Sequence, residues 1–287
     1  MGRLIVNADD FGLTSGVNRA VAELHAAGVL TSTTLMAREQ ATDEAISIGL
    51  ASPTLGVGCH VVLIDGTPVL PAGQIPSLVD SRTGKFPYSL GAFLSRLFSG
   101  RMRAAEIEAE AAAQIGLLRS RGLRLTHIDS HKHTHMFPAV LRPLLRAARA
   151  AGIAAVRNPF EPVWAMRATP RGSTVRRAEE TVLRLFEPRL RQIIAEEGFA
   201  TTDGTMAVVG TGSLDARTVR SLLEQLPAGT WELVTHPGYH DADLQRIRTR
   251  LQGSRPVEMD ALRVLKEFPQ VELLSYAALG REAKAGA

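Results

Sequence analysis

The segment Thr126–Pro138, THIDSHKHTHMFP, holds four of the chain's eight histidines and opens on a strand-like alternation. Side chains on a strand alternate with period two, so His127, Asp129 and His131 share one face and Thr126, Ile128 and Ser130 the other. A row of imidazole, carboxylate and imidazole is a poor apolar surface. It is a good wall for a metal site, because neutral imidazole and carboxylate are common ligands for zinc and related divalent ions. Past His131 the run leaves the strand. His133 and His135 fall in a loop, where a solvated position and a substrate contact are both open, and Phe137-Pro138 starts the next element.

Upstream of this segment, Arg3–Ala8 (RLIVNA) is a short apolar run ending in Asp9-Asp10-Phe11-Gly12, which reads as a buried strand and a turn. A helix over Ser15–Ala27 follows, capped by Ser15 and stopped by Gly28. Strands at Ser32–Met36 and Gly56–Leu63 flank a helix over Glu39–Leu50. The order β-α-β-α-β implies parallel strands with crossover helices. From Ile64 to Arg101 the rhythm breaks, with Pro68, Pro71, Pro76 and Pro87 in a long irregular insertion of the kind that forms a lid or a binding wall.

A helix over Glu106–Leu123 leads into the histidine strand. Beyond it come a helix over Ala139–Ala151, a strand over Ile153–Asn158 and a loop over Pro159–Arg171. A helix over Thr174–Glu197 is divided or bent at Pro188. The remaining elements are strand Thr205–Gly210, helix Leu214–Leu226, strand Trp231–Thr235, helix Val257–Phe268 and strand Val271–Tyr276, with Arg281–Ala287 as a fraying tail. Eight strands alternating with helices, with polar residues at the C-terminal ends of several, predict an α/β single-domain irregular TIM-like β/α barrel over residues 1–280. The insertion after strand three takes residues 64–101. A doubly wound open sheet fits the same alternation and is the runner-up.

Composition sets the outer limits. The 287 residues are 45% hydrophobic, which is ordinary for a globular chain with a sizeable core. A single cysteine, Cys59, rules out an internal disulfide framework and suits a reducing compartment. Neither a signal peptide nor an uncharged span long enough for a bilayer is visible, so a cytoplasmic location is expected. The net charge of +4 is densest in arginines over 167–191. With aromatics at 5% and no base-reading motif, nucleic acid is disfavoured. A solvated helix face explains the arginines better, and a peripheral contact with acidic lipid headgroups lies between the two. A homodimer stays open.

The strand ends supply the chemistry. They carry Asn7, Asp9 and Asp10 after strand one, His60 on strand three, His127, Asp129 and His131 on strand four, and His236 after strand seven. In a parallel barrel these ends share one face. One carboxylate with two histidines is a common ligand set for a hydrolytic metal; a second carboxylate can serve as general base and a free histidine as general acid. Each residue also has a plainer reading. Asp9-Asp10 could be turn chemistry, His60 a satisfied core histidine, His127 a structural residue deep in its strand, and Asp129 the group that orients a ligand histidine. His25 and His240 read as surface residues and Cys59 as packing. There is no phosphate-binding Gly-rich loop and no G-x-S-x-G elbow.

Val6-Asn7-Ala8-Asp9-Asp10-Phe11-Gly12, then Gly58-Cys59-His60, Thr126–His135 and His236-Pro237 resemble, in order and spacing, the YdjC-like carbohydrate deacetylases, which include chitooligosaccharide and hopanoid-biosynthesis deacetylases. The resemblance runs from Arg3 to about Tyr276. It implies a TIM-barrel-like fold and hydrolysis of an N-acetyl group from an acetylated amino sugar. It also implies Asp10, His60 and His131 as ligands of one divalent ion (Mg2+ or Zn2+), Asp9 as base and His236 as acid. Val61–Lys85 looks closer to the hopanoid branch, Asp129-Ser130 also suits the chitooligosaccharide branch, and Arg167–Phe199 resembles neither. Two rival readings are a metal-independent glycosidase using paired carboxylates and a non-catalytic sugar- or lipid-binding barrel.

Overall fold

The computed structural model describes residues 2–169 and 174–285. Its elements are β1 (Gly2–Phe11), α1 (Ser15–Ala26), β2 (Ser32–Leu35), α2 (Thr42–Ala51), β3 (Gly56–Val61), α3 (Leu90–Phe98), α4 (Ala104–Ser120), β4 (His127–Ser130), α5 (Pro138–Ala150) and β5 (Ala155–Val156). These are followed by α6 (Val163–Ala168), α7 (Thr174–Leu183), α8 (Glu187–Glu196), β6 (Gly204–Met206), α9 (Ala216–Glu224), β7 (Gly229–Thr235), α10 (Ala242–Arg246), α11 (Arg255–Ala261), β8 (Glu272–Leu273) and α12 (Tyr276–Ala285).

β1 is buried along nearly its whole length, as expected of a central parallel strand covered on both faces. The sheet runs β5-β4-β3-β2-β1-β7-β6, all parallel. It curls into a half-barrel, and one isolated parallel bridge, Ala155 to Ala200, links β5 to the segment before β6. The strand ends named from the sequence therefore open on one side of a curled α/β sheet.

A regular eightfold barrel would seat β8 between β7 and β1. Instead β7 pairs β1 directly, from Gly2↔Gly229 to Ala8↔Thr235. The two-residue β8 pairs Arg3 and Leu4 on the opposite edge of β1, end to end with β2, which takes Asn7 and Ala8. The long pairing with β7 leaves the last strand no room where the regular pattern would put it.

Other boundaries move for local reasons. Thr14, not Ser15, caps α1, its hydroxyl accepting from the Val17 N–H. The predicted irregular insertion contains α3 and is tied down by buried carboxylates of α4. Glu110 accepts from the N–H groups of Val69 and Leu70 at 2.8 and 3.0 Å, and Glu106 from that of Ser77 at 2.7 Å. Ile75, Leu78, Phe86 and Phe93 from the same segment are buried in the core.

The predicted tail begins as helix: α12 continues to Ala285, and residues 286–287 lie outside the described residues. In the arginine-rich stretch, Arg184 and Arg191 pair with Glu187, as a solvated helix face would. Arg171 lies outside the described residues, as does the side chain of Arg176. Among the described residues no helix is long and apolar enough to cross a membrane.

Gly58 on β3 shows how tightly the strands pack around the site. A Cβ there would lie 2.6–2.7 Å from three atoms of the His127 ring. That ring is itself clamped by a stack on Tyr276, with centroids 4.0 Å apart. Gly58→Ala is therefore expected to destabilise the fold by about 1–3 kcal/mol, the range for overpacking a core. Urea unfolding followed by circular dichroism measures it, and an unchanged midpoint would contradict this packing.

Candidate active site

Asp10, His60 and His131 meet where β1, β3 and the turn after β4 converge. Asp10 Oδ1 lies 3.7 Å from His60 Nε2 and 3.4 Å from His131 Nδ1, and the two imidazole nitrogens are 3.3 Å apart. Asp10 Oδ1 is buried with no hydrogen-bond partner. Ligand bonds of about 2.1 Å at tetrahedral angles separate donor atoms by roughly 3.4 Å, so this triangle fits one divalent ion. The tautomer fits as well. His60 Nδ1 is 2.7 Å from Asp129 Oδ1, which places the ring proton there and leaves the Nε2 lone pair for the triangle.

Burial alone would lower the pKa of His60. Asp129, with Asp9 and Asp10, outweighs burial and lifts it to about 9 in the ion-free chain. The same concentration of negative charge favours a cation.

The backbone is unusual on both sides of the triangle. Asp10 has φ 63°, a left-handed conformation that Asp tolerates better than most residues, and its carbonyl accepts from Leu13 N. Asp10 thus sits in the turn while its Oδ1 stays turned toward the two histidines. After His131, Lys132 and His133 take φ of 55° and 53° in succession.

Asp9 is held from several sides. Its Oδ1 accepts from Asn7 Nδ2 at 2.9 Å, Thr34 Oγ1 at 3.1 Å and Arg157 Nη2 at 2.6 Å, while its Oδ2 accepts from Arg157 Nη1 at 2.9 Å. Burial pushes its pKa up, but Arg157 and then His60 overcome this and hold it well below the usual carboxylate range. Arg157 also binds Asp129 Oδ2 at 2.5 Å and Glu232 Oε1 at 2.7 Å, and it is fully buried. Tyr276 Oη and Thr205 Oγ1 donate to the other oxygen of Glu232, at 2.5 and 3.2 Å.

His236 lies on the other side of Asp9, with Nε2 4.0 Å from Asp9 Oδ2. Its Nδ1 is 3.7 Å from Glu258 Oε2, which also accepts the backbone N–H of His236 at 2.7 Å. Burial lowers the His236 pKa, but Glu258, Asp9 and Asp10 more than compensate and raise it above the ordinary value.

Residues 3–266 match the family model described as YdjC-like protein. The chain belongs to the YdjC-like family. Proteins named Carbohydrate deacetylase from Thermoanaerobacter pseudethanolicus and Halalkalibacterium halodurans are each 30% identical to it; the first match covers 91% of both chains, the second 95% of this chain and all of the relative. One of the same name from Brevibacillus brevis is 44% identical over 146 residues, 51% of this chain and 55% of that protein. Among solved structures, a cellobiose-phosphate cleavage protein from Enterococcus faecalis superposes with a TM-score of 0.75 at 27% identity, covering 97% of this chain and 98% of that one.

In this YdjC-like chain the other sequence candidates divide. His127 is buried, bonded to Asn7 Oδ1 and Thr126 Oγ1; burial first and Arg157 second hold its pKa well below the ordinary value. His135, expected in an open loop, is fully buried, with Nδ1 2.7 Å from Ser130 Oγ, while His133 is half-buried. His240 is exposed. His25 is half-buried, bonding the Leu30 carbonyl and Thr54. Cys59 is buried packing, and burial pushes its thiol well above the ordinary range.

Four charged residues escaped the sequence reading: Arg157, Glu232, Arg255 and Glu258. A signal existed for Glu232, a lone charge in the apolar strand WELV. Arg157 ended a short apolar strand in the same way.

Arg157→Leu would leave Asp9, Asp129 and Glu232 without their shared counter-charge. The expected loss is about 3–5 kcal/mol of stability, read from denaturant unfolding. In ion-free protein the His236 ring should titrate by NMR above the ordinary histidine value of about 6.5. Its stabilising contribution is full below that unfolded-state value and is lost as pH rises through the raised folded one. Glu258→Gln should lower the folded pKa, and an unmoved titration would remove Glu258 from the account.

Proposed function

We propose that this protein is a metal-dependent hydrolase that removes an N-acetyl group from an acetylated amino sugar. The observation that carries the reading is the ligand triangle of Asp10, His60 and His131, flanked on one side by an ionised Asp9 and a raised-pKa His236. The names of the relatives support the same reaction.

Asp10 Oδ1, His60 Nε2 and His131 Nδ1 would hold the ion. A divalent ion bound there supplies Lewis acidity toward the attacking water and the acyl oxygen. Asp9 takes the proton of the attacking water at Oδ2, the oxygen with fewer bonds and the one facing His236. Arg157 keeps that carboxylate ionised and stationary. His236, protonated in the field of Glu258, Asp9 and Asp10, delivers its proton to the departing amine at Nε2. Asp129 fixes the ring of His60. His127 lies behind Asn7, a support for the wall rather than a contact for substrate.

The glycosidase reading needs one carboxyl that keeps its proton. In that reading Asp9 or Asp10 works with Asp129; Asp9 and Asp10 are both paired with arginine and held well below the usual range, and Asp129 gives one oxygen to Arg157 and the other to His60, so none of the three is free for that role. The acetylated sugar is carried by an oligosaccharide or by a glycolipid such as an N-acetylglucosaminyl hopanoid, and Zn2+ and Mg2+ both suit the ligand set.

The test is acetate release from chitobiose-type oligosaccharides and from an N-acetylglucosaminyl lipid, before and after chelation and metal return. Acetate should appear with one substrate class, stop with chelator and return with metal. Asp9→Asn should keep the metal and lose roughly two to four decades of rate. Acetate release indifferent to chelator, or none from a folded, metal-loaded protein, would overturn the proposal.

A further inference from the structure

From Ser130 to His135 every side chain but one is held. His131 faces His60 and Asp10, and Lys132 Nζ pairs with Asp65 Oδ2 at 2.8 Å. Thr134 Oγ1 donates to Ser130 Oγ, which also bonds the ring of His135 and accepts its backbone N–H. His133 makes no hydrogen bond or ion pair among the described residues. Its ring is half-buried: Nδ1 is shut away from solvent, whereas Nε2 is not.

The backbone that presents this ring is strained. Lys132 and His133 are both left-handed, an arrangement that residues with side chains keep only where the surroundings impose it. The Asp65 pair imposes it on one side, and the bonds to Ser130 on the other. The charged groups that reach the ring are Arg157, Asp9, His60 and His236, all members of the site. Among the described residues His133 nevertheless belongs to neither set with ligand spacing, Asp10 with His60 and His131 or Asp9 with His60 and Asp129. The side chains of His131 and His236, 21% and 13% exposed, are open at the same end of the sheet.

A neutral ring keeps its one proton on the open Nε2, because a sealed N–H without an acceptor is costlier than a bare lone pair. A charged ring has a proton there as well, so Nε2 donates in either state. A single open donor suits a partner that only accepts, which a carbonyl oxygen does and a sugar hydroxyl does not. Asp9 serves the attacking water and His236 the departing amine, which leaves the acyl oxygen without a side chain of its own.

We propose that His133 Nε2 donates a hydrogen bond to the acyl oxygen of the substrate. This rests on the hydrolytic reading above and names the side chain that recognises the acetyl group. As the water oxygen joins the carbonyl carbon, one pair of the carbon–oxygen double bond moves onto the acyl oxygen. It returns when the carbon–nitrogen bond breaks with its pair on nitrogen. His133 keeps its proton throughout, and its bond is strongest while that oxygen is negative.

The test compares binding of N-acetylglucosamine and of glucosamine, by NMR titration, to metal-stripped full chain. Wild-type protein is set beside His133→Phe, which keeps a ring without the donor, and His133→Gln, whose amide offers an N–H at similar reach. His133→Ala replaces the phenylalanine variant where that one does not fold. Loss of the donor should weaken N-acetylglucosamine about tenfold, with glucosamine and metal affinity unchanged, and His133→Gln should recover most of the loss. In metal-loaded protein kcat/KM for acetate release should fall further, by about a hundredfold, because the acyl oxygen is most negative in the transition state.

Wild-type protein that does not bind N-acetylglucosamine, or a donor-less variant that binds it equally well, would overturn the proposal. So would equal weakening of glucosamine, which would put the contact on the sugar ring, or loss of metal, which would make His133 a ligand. His133-dependent binding in a protein that releases no acetate from any N-acetyl sugar would sink the hydrolytic reading instead and leave the contact in place.

Discussion

The buried guanidinium of Arg157 is the counter-charge for three carboxylates that reach it from β1, β4 and β7. The inside of a curled parallel sheet is ordinarily filled with branched apolar side chains. Here part of it is ionic, and the desolvation this requires is offset only because every charge in the cluster finds a partner. The cluster therefore acts as a lock on register. A one-residue slip of any contributing strand would turn its carboxylate away and leave the others uncompensated in a dry interior. Thr205 from β6 and Tyr276 from α12 fasten the outer oxygen of Glu232 and extend the constraint to the far edge of the sheet.

Asp9 and Asp10 depend on this lock in different ways. On an unbroken strand, adjacent side chains face opposite sides and could not serve one site. The pairing of β1 with β2 shifts register between Ala8 and Phe11, and Asp10 adopts a left-handed backbone. An irregularity of this kind re-aims a side chain. Each aspartate then has its own arginine, Arg157 for Asp9 and Arg255 for Asp10. Two like charges can thus remain ionised side by side.

Much of this was legible in the sequence, because it lies in local pattern. The alternation in Thr126–His131, the NADDFG end of β1 and the lone His60 on an apolar strand each marked a polar strand end, and the structure brings those ends together. The counter-ions were not legible. Arg157 and Arg255 stand 148 and 245 residues from the aspartates they hold, and in sequence a buried arginine looks like any of the solvated ones. The regular barrel also misled. Strands of two residues such as β5 and β8 leave little trace of where they pair, and the long match of β7 with β1 that displaces β8 is a tertiary outcome. The burial of His135 was not legible because a loop histidine in sequence is equally wet or in contact, whereas Ser130 Oγ bonds both its ring and its backbone.

The position of β8 bears on the order in which the molecule can be built. β1 comes before its partner strands in sequence, yet one of its edges is completed by residues 229–235 and part of the other by residues 272–273. Tyr276, which seals Glu232 and stacks on His127, comes later still. The paired aspartates at the end of β1 thus lack their full surroundings until segments more than two hundred residues further along the chain are in place. A chain cut before β8 would keep the site's histidines and aspartates but lose the Tyr276 that closes over Glu232 and His127.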